Sequence, residues 1–99
     1  MIPIEFTAPL WIWQAEKGAW HFVTLPPEEA DAVRMFAPET KRGFGSVRVV
    51  VTIGGSTWKT SVFPSKERDS FLLPVKKAVR VAEGLAVGEP AAVRLEVEL

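Results

Sequence analysis

The chain contains no cysteine, one histidine and no net charge. The first absence excludes a disulfide framework, a thiolate zinc site, an iron–sulfur cluster and a cysteine nucleophile. The second removes any multi-histidine metal centre, since His21 stands alone. No apolar run approaches the eighteen or so residues of a membrane span. Met1-Ile2-Pro3-Ile4-Glu5 lacks the basic start of a signal peptide, so a cytoplasmic protein without membrane contact is expected. What remains is ordinary globular material: 99 residues, 47% hydrophobic and 24% charged. That length supports one domain over residues 1–99, hiding roughly two-thirds of the surface its unfolded form exposes.

The charges cancel without being mixed. Residues 1–40 carry two bases against six acids, residues 41–80 nine against two, and residues 81–99 one against four. Segregation of this kind marks a basic face for an anionic partner, or else a basic centre that pairs with acidic flanks in the folded chain. Zero net charge is unusual for a nucleic-acid binder.

Alternation over 6–13 reads as a strand, which Pro9 assigns to an edge or a bulge. Gly18 marks a turn, and Trp20–Thr24 returns as the second arm of a hairpin. Pro26-Pro27 stops it and opens a helix over 27–36. Glu28, Glu29 and Asp31 suit the helix's positive end, Ala30, Val33 and Ala37 form its apolar stripe beside Phe36, and Pro38 ends it. Gly43-Phe44-Gly45 precedes a strand over 46–53 whose valines on both faces predict cover on two sides. Gly54-Gly55 is the strongest hairpin signal, and the strand after it runs to a polar loop at 65–70. Phe71-Leu72-Leu73 is a short strand closed by Pro74. Val75, Ala78, Val79 and Ala82 predict a second helix over 75–83, with Gly84 as its C-terminal glycine. Residues 91–99 alternate as a last strand, with Val93, Leu95, Val97 and Leu99 on one face. Strand, Leu-Pro, helix, glycine, strand occurs twice, and Ala32-Val33-Arg34 echoes Ala78-Val79-Arg80. The repeated order points to two pseudo-symmetric halves.

Three strings in order carry a resemblance. They are Arg42-Gly43-Phe44-Gly45-Ser46-Val47-Arg48-Val49, Gly54-Gly55-Ser56-Thr57-Trp58 with Thr60-Ser61-Val62-Phe63-Pro64, and Leu72-Leu73-Pro74-Val75-Lys76-Lys77-Ala78-Val79-Arg80. With Phe6-Thr7-Ala8-Pro9-Leu10-Trp11 and Trp20-His21-Phe22-Val23, they resemble a bacterial family catalogued as a domain of unknown function, number nineteen-oh-five. The resemblance implies a double-split β-barrel related to AbrB/MazE/MraZ-like DNA-binding domains. Leu73-Pro74-Val75-Lys76-Lys77 followed by Gly84-Leu85-Ala86-Val87-Gly88-Glu89 is similar to a pattern of those DNA binders. That family has no established activity, so it transfers no functional residue. The expected fold is mainly β, a six- to seven-stranded barrel with two short capping helices. Each half of an AbrB-like barrel needs a partner, whereas the doubled order here supplies both halves. A monomer, or a homodimer of complete barrels, is therefore expected.

No catalytic constellation is visible. His21 lacks a positioned partner for acid–base work. The acids at 28–31 are accounted for by the helix end, and neither glycine pair opens a phosphate-binding loop. No metal and no cofactor are expected. Two features point to binding. Lys76 and Lys77 sit in the first turn of the second helix, where cations typically cost a few tenths of a kcal/mol each, and Arg80 follows one turn on. An anion held by N–H groups near Val75–Ala78 and by Lys76, Lys77 and Arg80, with Arg42 added, accounts for that placement. Neutralisation by Glu96 and Glu98, or by a C-terminal carboxylate, accounts for it as well. Trp11 and Trp13 share a strand face and are expected to line any pocket, unless they fill the core. The sequence thus reads as a non-enzymatic binding module for an anionic small molecule or partner. A structural or protein-interaction domain is the alternative, with a nucleic-acid binder and a small enzyme less expected.

Overall fold

The computed structural model describes residues 3–36 and 45–98. Their order is β1 (Ile4–Ala15), β2 (Gly18–Thr24), α1 (Pro27–Phe36), β3 (Val47–Ile53), β4 (Ser56–Ser65), β5 (Ser70–Pro74), α2 (Lys77–Glu83) and β6 (Pro90–Val97). The six strands close into one antiparallel barrel in the order β1-β2-β5-β4-β3-β6. Period-two alternation drives closure. Val47, Val49, Val51 and Ile53 point inward, as do Ala91, Val93, Leu95 and Val97, and all are buried. Each of the valine, isoleucine and leucine side chains is worth about 1.5–3 kcal/mol when removed from water. Among the described residues no helix is long and apolar enough to cross a membrane.

Pro9 does not lie on an edge. Residues Ile4–Pro9 of β1 pair with β6, and residues Leu10–Ala15 pair with β2. The strand changes partner at the proline, which has no N–H to give a second ladder. β4 does the same, pairing with β3 up to Val62 and with β5 from Phe63. The two-sided cover expected for β3 is also corrected, because Arg48 is exposed and Val50 and Thr52 are half-exposed on the outer face. A barrel strand has one inner face, and the extra valine meets solvent.

Exchanging β1, β2 and β3 for β4, β5 and β6 leaves the strand order unchanged, so the barrel has a pseudo-two-fold axis. Across that axis Leu25 N–H donates to the Phe71 carbonyl and Val75 N–H to the His21 carbonyl, both at 3.0 Å. The helices begin at Pro27 and Lys77, and Ala30 and Arg80 donate to the carbonyls of residues 26 and 76. Each match is an offset of fifty positions. The Leu-Pro and Ala-Val-Arg echoes have different offsets, so the repeated order holds while the repeated letters are not structural equivalents.

α1 spans the residues its local signals predict, with Ala30 and Val33 fully buried. Ala37, Pro38, Gly43, Phe44 and Leu99 lie outside the described residues, as does the side chain of Phe36. α2 starts two residues later than expected, because Val75 N–H is taken by His21 and Lys76 becomes the extended N-cap. Its stripe is narrower too: Val75 and Val79 are buried, whereas Ala78 and Ala82 are exposed. Gly84 ends it in the left-handed region at φ 62°, as a C-terminal glycine should.

Candidate functional site

The split strands leave openings in the barrel wall. β5 pairs with β2 only through Phe22–Thr24 and with β4 only through Phe63–Ser65. Beyond Pro74, the start of β2 and the start of β4 are therefore not bridged by β5. α2 lies over this gap, packed on β4. On the opposite side α1 packs on β1 and β5, and Ala30 and Val33 seal the equivalent region with apolar side chains. The counterpart of Ala30 fifty positions on is Arg80. Where one half is plugged, the other is lined by a cation.

The resulting cavity, about 260 Å³, is lined by Trp20 and His21 of β2, Trp58, Lys59 and Thr60 of β4, and Lys76 and Arg80. Ala19, Pro74 and Val75 complete its wall. Register sets the directions: Trp58 opposes buried Val51 and Thr60 opposes buried Val49, so both face the barrel interior. Trp20 shares the outer face with Trp13, its cross-strand partner. The cavity thus carries one indole inside the rim and one outside it. Among the described residues no carboxylate lines it.

Arg80 is fixed in place. Its Nε donates to the Val75 carbonyl and its Nη1 to His21 Nε2, each at 3.2 Å. The guanidinium stays charged, so Nε2 must accept and the neutral imidazole keeps its proton on Nδ1. Loss of hydration, followed by repulsion from Arg80, lowers the His21 pKa below 6.5. Among the described residues, the Nη2 donors of Arg80 are not engaged. The ion pairs among the described residues are those of Arg34, with Asp31 at 2.7 Å and Asp69 at 3.8 Å. Glu96 and Glu98 therefore do not form ion pairs with Lys76 or Lys77, both lysines are exposed, and the C-terminal carboxylate lies outside the described residues.

Of the residues picked out from sequence, Lys76 and Arg80 share the cavity. Lys77 is on the exposed surface of α2 and does not line it. Arg42 lies outside the described residues. Val75 N–H, expected to be free for an anion, is consumed by His21. Trp11 and Trp13 line a separate groove of about 260 Å³ with Phe22, Arg68 and Leu72. There the Arg68 guanidinium stacks 3.8 Å over the Trp11 ring, and Trp11 Nε1 donates to Thr24 Oγ1 at 2.8 Å. Trp20, His21, Trp58 and Lys59 were missed as pocket residues. A period-two reading places each on a face but cannot bring β2 and β4 together across a short β5. A wider depression of about 400 Å³ lies between β1, β6 and the β3–β4 turn. Glu5 and Arg94, register partners on β1 and β6, give it opposite charges and no convergent set.

Fold and cavity together define a small closed β-barrel with a basic, tryptophan-lined opening in its wall. The chain belongs to the domain of unknown function family DUF1905, whose model matches residues 6–95. No curated protein matches the chain.

Proposed function

We propose that the protein is a non-enzymatic binding module for a small anionic ligand, held in the opening under α2. The observation that carries this reading is the lining itself: Lys59, Lys76 and Arg80 border one cavity, and among the described residues no carboxylate does. Charges around a concave, partly desolvated site attract an anion more strongly than the same charges spread over a convex surface. Arg80, held on one side by Val75 and His21, offers its remaining donors without losing much side-chain freedom on binding. The same contact argues against acid–base catalysis, since the lone pair of His21 Nε2 already accepts from Arg80.

Isothermal titration with inorganic phosphate and acetate tests the reading on wild type, Lys59→Ala, Lys76→Ala and Lys77→Ala. Lys59→Ala and Lys76→Ala are expected to weaken binding several-fold, with affinity falling as salt rises. Lys77→Ala, outside the cavity, is expected to bind like wild type. Equal losses in all three would reduce the effect to general surface charge, and no binding by wild type would end the proposal.

One observation favours a second reading, a protein-interaction face. Trp20 is 58% exposed, Trp13 51% and Phe63 42%, all on the outer side of the β1-β2-β5-β4 sheet. Such a face would bind with little dependence on ionic strength, and that separates the two readings.

A further inference from the structure

We infer that the opening under α2 selects an anion carried on a single planar aromatic ring, such as an aryl carboxylate or an aryl phosphate monoester. This rests on the anion-binding reading above and narrows its ligand class. A site for a bare inorganic anion needs donors and charge, and Lys59, Lys76 and Arg80 already supply both. Apart from His21 and Thr60, the rest of the described wall is apolar and aromatic, made by Trp20, Trp58, Pro74, Val75 and Ala19. Two indoles beside a cationic cluster complement a ligand with a flat apolar body and one charged end.

Placement of the indoles supports the same conclusion. Trp58 is half-buried and packs against the core, so it forms a fixed floor. Trp20 is the more exposed partner on the rim, where a bound ring would cover apolar surface that water now meets. Size sets the upper limit. A cavity of about 260 Å³ falls just below the range of roughly 300–1,000 Å³ usual for drug-sized ligands, which restricts the occupant to one ring system and one anionic group. A nucleic-acid strand would have to lie across the opening and not within it.

The test uses benzoate and phenyl phosphate against acetate, inorganic phosphate and neutral benzyl alcohol, titrated into the full chain. Binding is followed by calorimetry and by the indole Nε1–H resonances, assigned with Trp→Phe variants. The aryl anions are expected to bind at least tenfold more tightly than their simple counterparts, shifting the Trp20 and Trp58 signals but not that of Trp13. Trp20→Ala, at a side chain 58% exposed, is expected to remove most of that ratio. Trp13→Ala is expected to retain it. Equal affinity for aryl and simple anions would overturn the aromatic selectivity and leave the anion reading standing. Benzyl alcohol binding as tightly as benzoate, or no anion binding at all, would overturn both.

Discussion

A histidine near the mouth of a barrel ordinarily titrates near 6.5, but His21 bears two costs when protonated. It loses hydration and it faces the Arg80 guanidinium, so its folded pKa lies below the unfolded value. The sign follows directly. As pH falls through 6.5 the unfolded chain takes up the proton first, and stability declines until the folded imidazole also protonates. Urea denaturation between pH 7.5 and pH 5 should therefore show a larger acid loss for wild type than for His21→Gln, whose amide oxygen can accept from Arg80 without titrating. Parallel profiles would mean that folding does not lower the His21 pKa. If the proposed anion binds there, protonation of the folded imidazole adds a positive charge beside it, and titration calorimetry should show affinity rising at the acid end of this range.

At the scale of elements, the C-terminal turn of α2 is tied to the β3–β4 hairpin through one carboxylate. Glu83 accepts from the Gly55 N–H at 3.3 Å and the Ser56 hydroxyl at 2.6 Å. Gly54 permits this approach twice over: its φ is 57°, and a Cβ there would collide with the Glu83 carboxylate. Gly54→Ala should cost about 1–2 kcal/mol for the left-handed backbone, and more for displacing Glu83. Gly84, at φ 62° with open space around its Cβ direction, supplies the comparison, because Gly84→Ala carries the backbone cost alone. In a Glu83→Ala background the Gly54→Ala penalty should shrink toward that of Gly84→Ala. Thermal denaturation of wild type, Gly54→Ala, Glu83→Ala and the double variant, with Gly84→Ala as reference, measures the coupling, and an unchanged penalty would show that the hairpin and helix are not tied there.

For the whole molecule, closure within one chain follows from the partner switch in β1 and β4. Each joins strands of both halves, so the two pseudo-symmetric units share a core that neither could complete alone. Sedimentation over a dilution series is expected to retain a folded monomer at low micromolar concentration, or a dimer that dissociates without unfolding. Dissociation accompanied by unfolding would mean that the core needs a second copy. The pseudo-symmetry also locates the site. Buried Ala30 seals one half, whereas Arg80 lines a cavity in the other.

Features governed by neighbours along the chain were legible before any tertiary contact. The limits of α1 follow from Pro27, the acids behind it and the spacing of Ala30 and Val33. Gly54-Gly55 placed its hairpin, and the alternation of Val93, Leu95 and Val97 gave β6 its inner face. The β-rich class and the doubled order of elements were equally local to read. Contacts between distant positions decided the rest. The start of α2 moved because Val75 donates across the axis to His21, and Pro9 left the edge because β1 trades one partner for another there. Likewise, Lys76 and Arg80 were visible as an excess of charge, but their pocket was not. It requires His21, 59 positions from Arg80, and Trp58 from a third element, brought together where β5 ends too early to close the wall. Residue type and spacing fix what a strand or helix prefers, whereas barrel closure fixes which preferences meet across a gap.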